Sequence, residues 1–181
     1  MSAGAGLGGR APEAAAIPVE PVGRTPDPVA LRRAFGAFPS GVTALAALVD
    51  GAPVGLTASS FTPVSLDPPL VSVCVALTST TWPRLRRAAR IGVSVLGGAQ
   101  EGVGRQLAAR GADRFAGLEW HRSGEDAVLL GGAGAWFDCS VEREIRAGDH
   151  EIVLLRVHVM GVDPQVQPLV FHGSRYRRLA G

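Results

Sequence analysis

No lysine occurs in this chain. All eighteen basic residues are arginine, set against sixteen Asp and Glu, and the formal net charge is only +2. So small an excess gives no concentrated basic footprint for a nucleic acid. Cysteine is scarce: Cys74 and Cys139 lie far apart in strand-like runs, with no C-x-x-C spacing. That excludes a redox dithiol or a zinc ribbon, and both residues read as buried free thiols of a cytoplasmic protein. The four histidines, His121, His150, His158 and His172, show no H-x-x-x-H spacing, so no metal site is expected. The G-x-S-x-G elbow of a serine nucleophile is missing too. No apolar run approaches the roughly 20 residues that span a bilayer, so a membrane, like a nucleic acid, is not an expected partner.

What is present is 181 residues, 46% of them apolar, enough for one domain with a core of its own. Residues 1–26 are rich in Gly, Ala and Pro and lack the basic start and apolar centre of a signal peptide. They read as a disordered leader, followed by a single domain at 27–181. The leader contains Gly4-x-Gly6-x-x-Gly9, but no strand precedes it and no βαβ unit surrounds it. A dinucleotide-binding fold is therefore not expected there.

The domain is organised around residues 35–77. Thr43 to Val49 is a short apolar run, and Asp50-Gly51 follows it, a dipeptide suited to a hairpin whose turn positions need φ > 0. Val54 to Leu56 restarts an extended segment. Thr57-Ala58-Ser59-Ser60 is small and rich in hydroxyls, so a planar polar ligand can approach its backbone closely. Ser65-Leu66-Asp67-Pro68-Pro69 must be a corner, and Leu70 to Leu77 resumes as a Val-rich strand. Asp27-Pro28 opens a predicted helix through Ala37, with Leu31, Ala34, Phe35 and Phe38 on one face. A second helix is predicted from Trp82 to about Ala89, capped by Thr80 or Thr81, and a third from Gln100 to Arg110. Arg84, Arg86, Arg87 and Arg90 form either a solvated basic face or part of an anion site. Ile91 to Leu96 alternates as a strand. Ala133 to Ile145 and His150 to Val162 read as a long antiparallel ribbon exposed on one face, with Asp138 on its polar side. Leu169–Phe171 and Arg175–Leu179 close the chain. Many strands with only short helices between them predict a mainly β, antiparallel, closed or nearly closed barrel.

Three stretches resemble the flavin reductase family of small NAD(P)H:flavin oxidoreductases. Phe38-Pro39-Ser40-Gly41-Val42-Thr43 resembles F-P-T-G-V-T. Thr57-Ala58-Ser59-Ser60-Phe61-Thr62-Pro63-Val64-Ser65-Leu66-Asp67-Pro68-Pro69-Leu70 resembles T-A-N-S-F-T-S-V-S-L-D-P-P-L. Asp113-Arg114-Phe115-Ala116-Gly117 resembles D-R-F-x-G. The departures are Ser40 for Thr, Ser59 for Asn and Pro63 for Ser. The resemblance covers about Leu31 to Leu179 and implies the family's split β-barrel with a few short flanking helices, the first helix packing against the barrel. It implies an enzyme that passes hydride from NADH or NADPH to FMN or FAD. It implies a homodimer that supplies reduced flavin by diffusion to a flavin-dependent monooxygenase. Carried onto this chain, the cofactor-binding positions are Ser40, Gly41, Val42, Thr43, Thr57, Ala58, Ser59, Ser60 and Ser65. The S-x-T turn adds Ser79 and Thr81 near a flavin phosphate. The terminal segment adds Phe171, Gly173 and Tyr176. Gly148-Asp149-His150 matches a G-D-H whose His faces flavin and nicotinamide, which makes His150 the candidate catalytic residue. Two other readings stay open: an enzyme that retains its flavin and oxidises a small substrate, and a non-catalytic flavin-binding protein.

Overall fold

The computed structural model describes residues 21–23, 27–111 and 113–179. The Gly4-x-Gly6-x-x-Gly9 run and nearly all of the leader lie outside the described residues. The elements are α1 (Pro28–Phe35), β1 (Ser40–Gly41), β2 (Thr43–Val49), β3 (Ala52–Ala58), β4 (Thr62–Leu66), β5 (Pro69–Ala76), α2 (Trp82–Leu85), β6 (Ile91–Val95) and α3 (Glu101–Ala108). After these come β7 (Trp120–Ser123), β8 (Ala127–Leu130), β9 (Ala135–Ala147), β10 (His150–Val162), β11 (Leu169–His172) and β12 (Arg175–Arg178).

All the strand pairings are antiparallel. The main sheet runs β4-β5-β10-β9-β6-β2-β8-β7, with β3 on the other side of the β2 hairpin, and a smaller sheet runs β1-β11-β12. The β2–β3 hairpin forms where Asp50-Gly51 placed it: φ is 55° at Asp50 and 79° at Gly51, the left-handed pair that matches strand twist. Alternate residues of β2, β3, β5, β6, β9 and β10 point into one core. It includes Leu45, Val54, Val73, Val93, Cys139 and Leu155, and Trp82 and Leu85 of α2 pack into it. The opposite face of β2, at Val42, Ala44 and Ala46, packs under α3, β8 and β11 through Leu107, Leu130 and Leu169. Both faces of β2 are thus covered, which is why its sequence is continuously apolar rather than alternating.

The barrel is mainly β and antiparallel, but among the described residues no ladder closes it. Between β3 and β5 the wall is split, and the Ser60 hydroxyl bridges the gap. Its Oγ accepts the Cys74 N–H at 2.8 Å and donates to the Cys74 carbonyl at 3.2 Å.

Several expectations need correction. The helix expected over 82–89 is a four-residue turn of helix, and Thr81 makes no side-chain cap; the Ser79 hydroxyl accepts the Trp82 N–H instead, at 3.1 Å. The third helix is shorter at both ends than Gln100–Arg110. α1 is capped as expected, the Val29 N–H donating to Asp27 Oδ1 at 2.9 Å, but it buries no residue in the barrel core. Phe35 at its end and Phe38 just beyond it are 71% and 76% exposed and line an open groove. Asp138 is not on a solvated face. Five residues at the start of β9 lie between β6 and β10, and Asp138 is 1% exposed there, accepting from Ser123 Oγ at 2.8 Å and facing Arg90 at 3.3 Å. Alternation in sequence cannot see such partners, yet they are what makes a buried carboxylate tolerable.

Of the two thiols expected to be buried, only Cys139 is; Cys74 is exposed because Val71, Val73 and Val75 take the inward positions of β5. Burial first, and then the neighbouring Asp138 charge, push the Cys139 thiol up to about 12. A thiolate is the reactive form. Titration with an aromatic disulfide reagent at neutral pH is therefore expected to modify one thiol per native chain, Cys74, and two after denaturation. Two fast-reacting thiols in the native protein would contradict this burial.

Candidate flavin site

Four cavities follow one another along this fold, each sharing lining residues with the next. The largest, about 810 Å³, opens between α1, β1 and the barrel split; its walls include Phe35, Phe38, Phe61, Phe171 and Cys74, with Ser40, Gly41, Ser59 and Ser60 among its polar or small lining residues. A Cβ built on Gly41 meets no atom within 4 Å, so no packing fills the space above it. A chamber of about 140 Å³ shares Ser59 and Phe171 with this groove and adds Val42, Thr57, Ala58 and Tyr176. Thr57 leads on into a polar cavity of about 610 Å³ with Thr78, Ser79, Thr80, Thr81, Arg110 and Arg114. A last cavity of about 320 Å³ shares Thr80, Thr81 and Arg114 with it. The line runs from an aromatic end to a hydroxyl- and guanidinium-rich end.

Local structure holds these walls in place. Thr43 does not line them: it is buried, and its Oγ1 donates to the Ala58 carbonyl at 2.9 Å, pinning β2 to the end of β3. Phe171 and Tyr176 pair across β11–β12 and meet edge-on at 5.4 Å, and the Arg105 guanidinium lies over the Tyr176 ring. Burial raises the Tyr176 phenol above its usual range, keeping it a neutral donor. Phe61 stacks on Phe137 at 5.6 Å, which fixes one wall of the aromatic groove. Gly173 (φ 57°) turns the β11–β12 hairpin and borders a shallow depression beside the groove, where its N–H donates to the Gly36 carbonyl at 2.8 Å.

The structure thus gathers Ser40, Gly41, Val42, Thr57, Ala58, Ser59, Ser60, Ser79, Thr81, Phe171 and Tyr176 along one trough. It does not bring in Ser65, which sits on edge strand β4. His150 lines none of the four cavities. It starts β10, opposite Ala76, and Ala76 does line the polar cavity. The Asp149 carbonyl accepts the Leu77 N–H at 2.9 Å, and its carboxylate meets His150 Nδ1 at 2.8 Å. That hydrogen bond holds the Asp149 carboxyl below its ordinary range.

Of the basic run that begins in α2, Arg86 pairs with Glu144 and Arg90 with Asp138, and only Arg84 lines one of the four cavities. The residue that sequence reasoning undervalued is Arg114. Its guanidinium donates to the Gly55 carbonyl at 2.9 Å, to Thr81 Oγ1 at 2.8 Å and to the Ala109 carbonyl at 2.7 Å, tying the 113–117 turn to β3 and to the start of α2. The D-R-F-x-G stretch was its signal, but nothing local said where it folds back.

Residues 35–180 match the family described as flavin reductase like domain. The chain is similar to the stachydrine N-demethylase reductase subunit of Rhizobium meliloti, 45% identical over 132 residues, 72% of this chain and 57% of that one. It is similar to the reductase subunit of a flavin-dependent monooxygenase from Rhodococcus jostii, 35% identical over 150 residues, 83% of this chain and 77% of that one. Against the Streptomyces globisporus NADH:FAD oxidoreductase structure the TM-score is 0.82 at 39% identity, covering 91% of this chain and 100% of that one. The chain spans about half the length of the Rhizobium relatives it matches, 42% and 57%. A split barrel with a hydroxyl-lined trough beside its seam, and a match over nearly the whole domain, place this chain in the flavin reductase like domain family.

Proposed function

We propose that this chain is an NAD(P)H-dependent flavin reductase that passes hydride from NADH or NADPH to FMN or FAD and releases reduced flavin to a separate flavin-dependent monooxygenase. The observation that carries this reading is the succession of cavities whose linings overlap, from the aromatic groove to the hydroxyl- and arginine-lined end. Its aromatic groove suits a planar ring system, its narrow middle a polyol chain, and its far end a phosphate. Bound flavin supplies the electron acceptor, which no side chain of the protein can be. The chain's own part is to bind and orient. Phe38, Phe61 and Phe171 offer apolar faces to the rings and keep water from them. The Thr57 and Ser59 hydroxyls offer hydrogen bonds along the middle, and Ser79, Thr81 and Arg110 offer donors at the polar end. The α2 turn itself is too short to serve as an anion site.

The reading extends to a single domain at 27–181, in keeping with the family match, and to a cytoplasmic protein. Among the described residues no helix is long and apolar enough to cross a membrane. It also extends to a homodimer. Past Arg156, the last residue paired to β5, the outward edge of β10 has no partner among the described residues, and Val159, Met160 and Val162 are exposed there. Sedimentation at two concentrations tests that.

Anaerobic mixing of the protein with FMN or FAD and each nicotinamide is expected to bleach the flavin. Steady turnover of added free flavin separates this reading from a flavin-retaining oxidase, and no NAD(P)H oxidation at all would leave only a flavin-binding protein. His150→Ala should slow reduction without stopping it, because hydride transfer needs no obligatory acid from the protein. Losing one hydrogen bond worth about 0.5–3 kcal/mol lowers kcat/KM between a few-fold and about a hundredfold. Stopped-flow reduction with flavin affinity measured in parallel checks this. A parental rate would remove His150 from the site.

A further inference from the structure

We infer that Glu144, which lines none of the four cavities, is a positioning residue for the turn that holds the flavin phosphate. This rests on the flavin reductase reading and adds to it a residue that no motif marked. Glu144 stands on β9, opposite Val153 of β10 and 62 positions from Trp82. Its Oε1 accepts the Trp82 indole N–H at 2.8 Å, and its Oε2 meets the Arg86 guanidinium. Its side chain is only 18% exposed. Trp82 is buried, so its indole N–H needs an acceptor from the protein. Among the described residues that acceptor is Glu144.

What Trp82 holds in turn is the donor state of Ser79. The Trp82 main-chain N–H donates to Ser79 Oγ at 3.1 Å. A serine hydroxyl has one proton and two lone pairs. Ser79 accepts that bond and donates none among the described residues, so its proton is kept for a ligand oxygen. Thr81 is set in the same way. Its Oγ1 accepts from Arg114 at 2.8 Å, and its carbonyl accepts the Arg84 and Leu85 N–H groups at 3.0 and 3.1 Å. Ser79, Thr80 and Thr81 all line the polar cavity of about 610 Å³. Two hydroxyls primed as donors suit a group rich in acceptor oxygens, which a phosphate is. Arg114 fixes Thr81 from the 113–117 turn, and Glu144 fixes Trp82 from β9, so the turn is held from two sides. Glu144 acts through Trp82 and does not touch the ligand.

FMN and riboflavin differ only in the phosphate, which makes the pair a direct test. In fluorescence titrations of the full chain, FMN is expected to bind at least about tenfold more tightly than riboflavin. Glu144→Ala should raise the FMN dissociation constant about tenfold, the effect of one charge-assisted hydrogen bond, and leave riboflavin within about twofold of the parent. Glu144→Gln keeps an acceptor for the indole and should restore FMN to within about threefold of the parent. Ser79→Ala should show the loss of about tenfold by itself. The double variant should lose no more, because both changes act on the same donor. A role in folding alone would weaken riboflavin and FMN alike, and that result would overturn the inference. So would parental FMN affinity in Glu144→Ala, a Gln variant as weak as the Ala variant, or additive losses in the double variant. A parent chain that binds riboflavin as tightly as FMN would also overturn it, and would leave the reductase reading standing. Binding of neither flavin by the parent would sink that reading itself, and the inference with it.

Discussion

Ser60→Leu is expected to lose flavin binding by at least about a hundredfold, some 2.7 kcal/mol, and to lower the melting temperature as well. Ser60 has two roles that the substitution ends together. It lines the aromatic groove, so an isobutyl group in its place fills space that a ring system would need. Its hydroxyl is also the clip across the barrel split, bonded to both the N–H and the carbonyl of Cys74. Two hydrogen bonds at about 0.5–1.5 kcal/mol each amount to roughly 1–3 kcal/mol. At about 2–4 °C per kcal/mol for a domain of this size, the melting temperature should drop by several degrees. Ser60→Ala separates the roles: it should show the thermal loss while binding flavin within about tenfold of the parent. Should the Leu variant bind flavin as the parent does in a fluorescence titration, the ring site lies elsewhere.

Gly92→Ala should destabilise the domain more than any loss of a surface contact, by about 3 kcal/mol or more, the upper range for overpacking a filled core. Ordinarily a Gly-to-Ala change in regular structure helps, by about 0.4–1 kcal/mol through the unfolded chain. Here the sign reverses. Gly92 sits in β6 between Ala46 of β2 and Asp138 of β9. A Cβ on it would lie 2.1 Å from the Val128 carbonyl oxygen and 2.7 Å from the Val128 carbonyl carbon. Those are backbone atoms and cannot rotate away, so β8 must lift off the sheet, exposing Val128 and Leu130, which are now buried. Gly102→Ala is the control. Its Cβ would meet nothing within 4 Å in an exposed turn of α3, and it should raise stability by about 1 kcal/mol. Chemical denaturation of both variants measures the contrast. A Gly92→Ala protein as stable as the parent would mean that β8 does not press on β6 in this way.

Much of this fold could be read along the chain, because the signals were local. Asp50-Gly51 marked the first hairpin, since its two positions need φ > 0. Asp27-Pro28 marked a helix start, since a carboxylate accepts an unpaired N–H and proline gives up none. Alternation in Ile91–Val95 marked a strand, and the small hydroxyl residues from Thr57 to Ser60 marked a stretch that proves to line cavities. Each depends only on residues within a few positions of one another.

Contacts between residues far apart in sequence could not be read that way. Alternation placed Asp138 on a solvated face, but Ser123 and Arg90, brought by β7 and by the turn after α2, make its burial possible. Cys74 was expected inside, and the parity of its strand, set by Val71, Val73 and Val75, turned it outward. Arg114 joins two cavities because its turn packs back on β3 and the start of α2, contacts that span up to 59 positions. By itself the sequence determined that this is an antiparallel β domain with a segment of small hydroxyl residues, because dihedral preference and hydrophobic period act within a few residues. Only the tertiary structure decided where the barrel stays open, which charges are paired and which lining residues neighbouring cavities share, because burial and electrostatics depend on distances through space that no local rule contains.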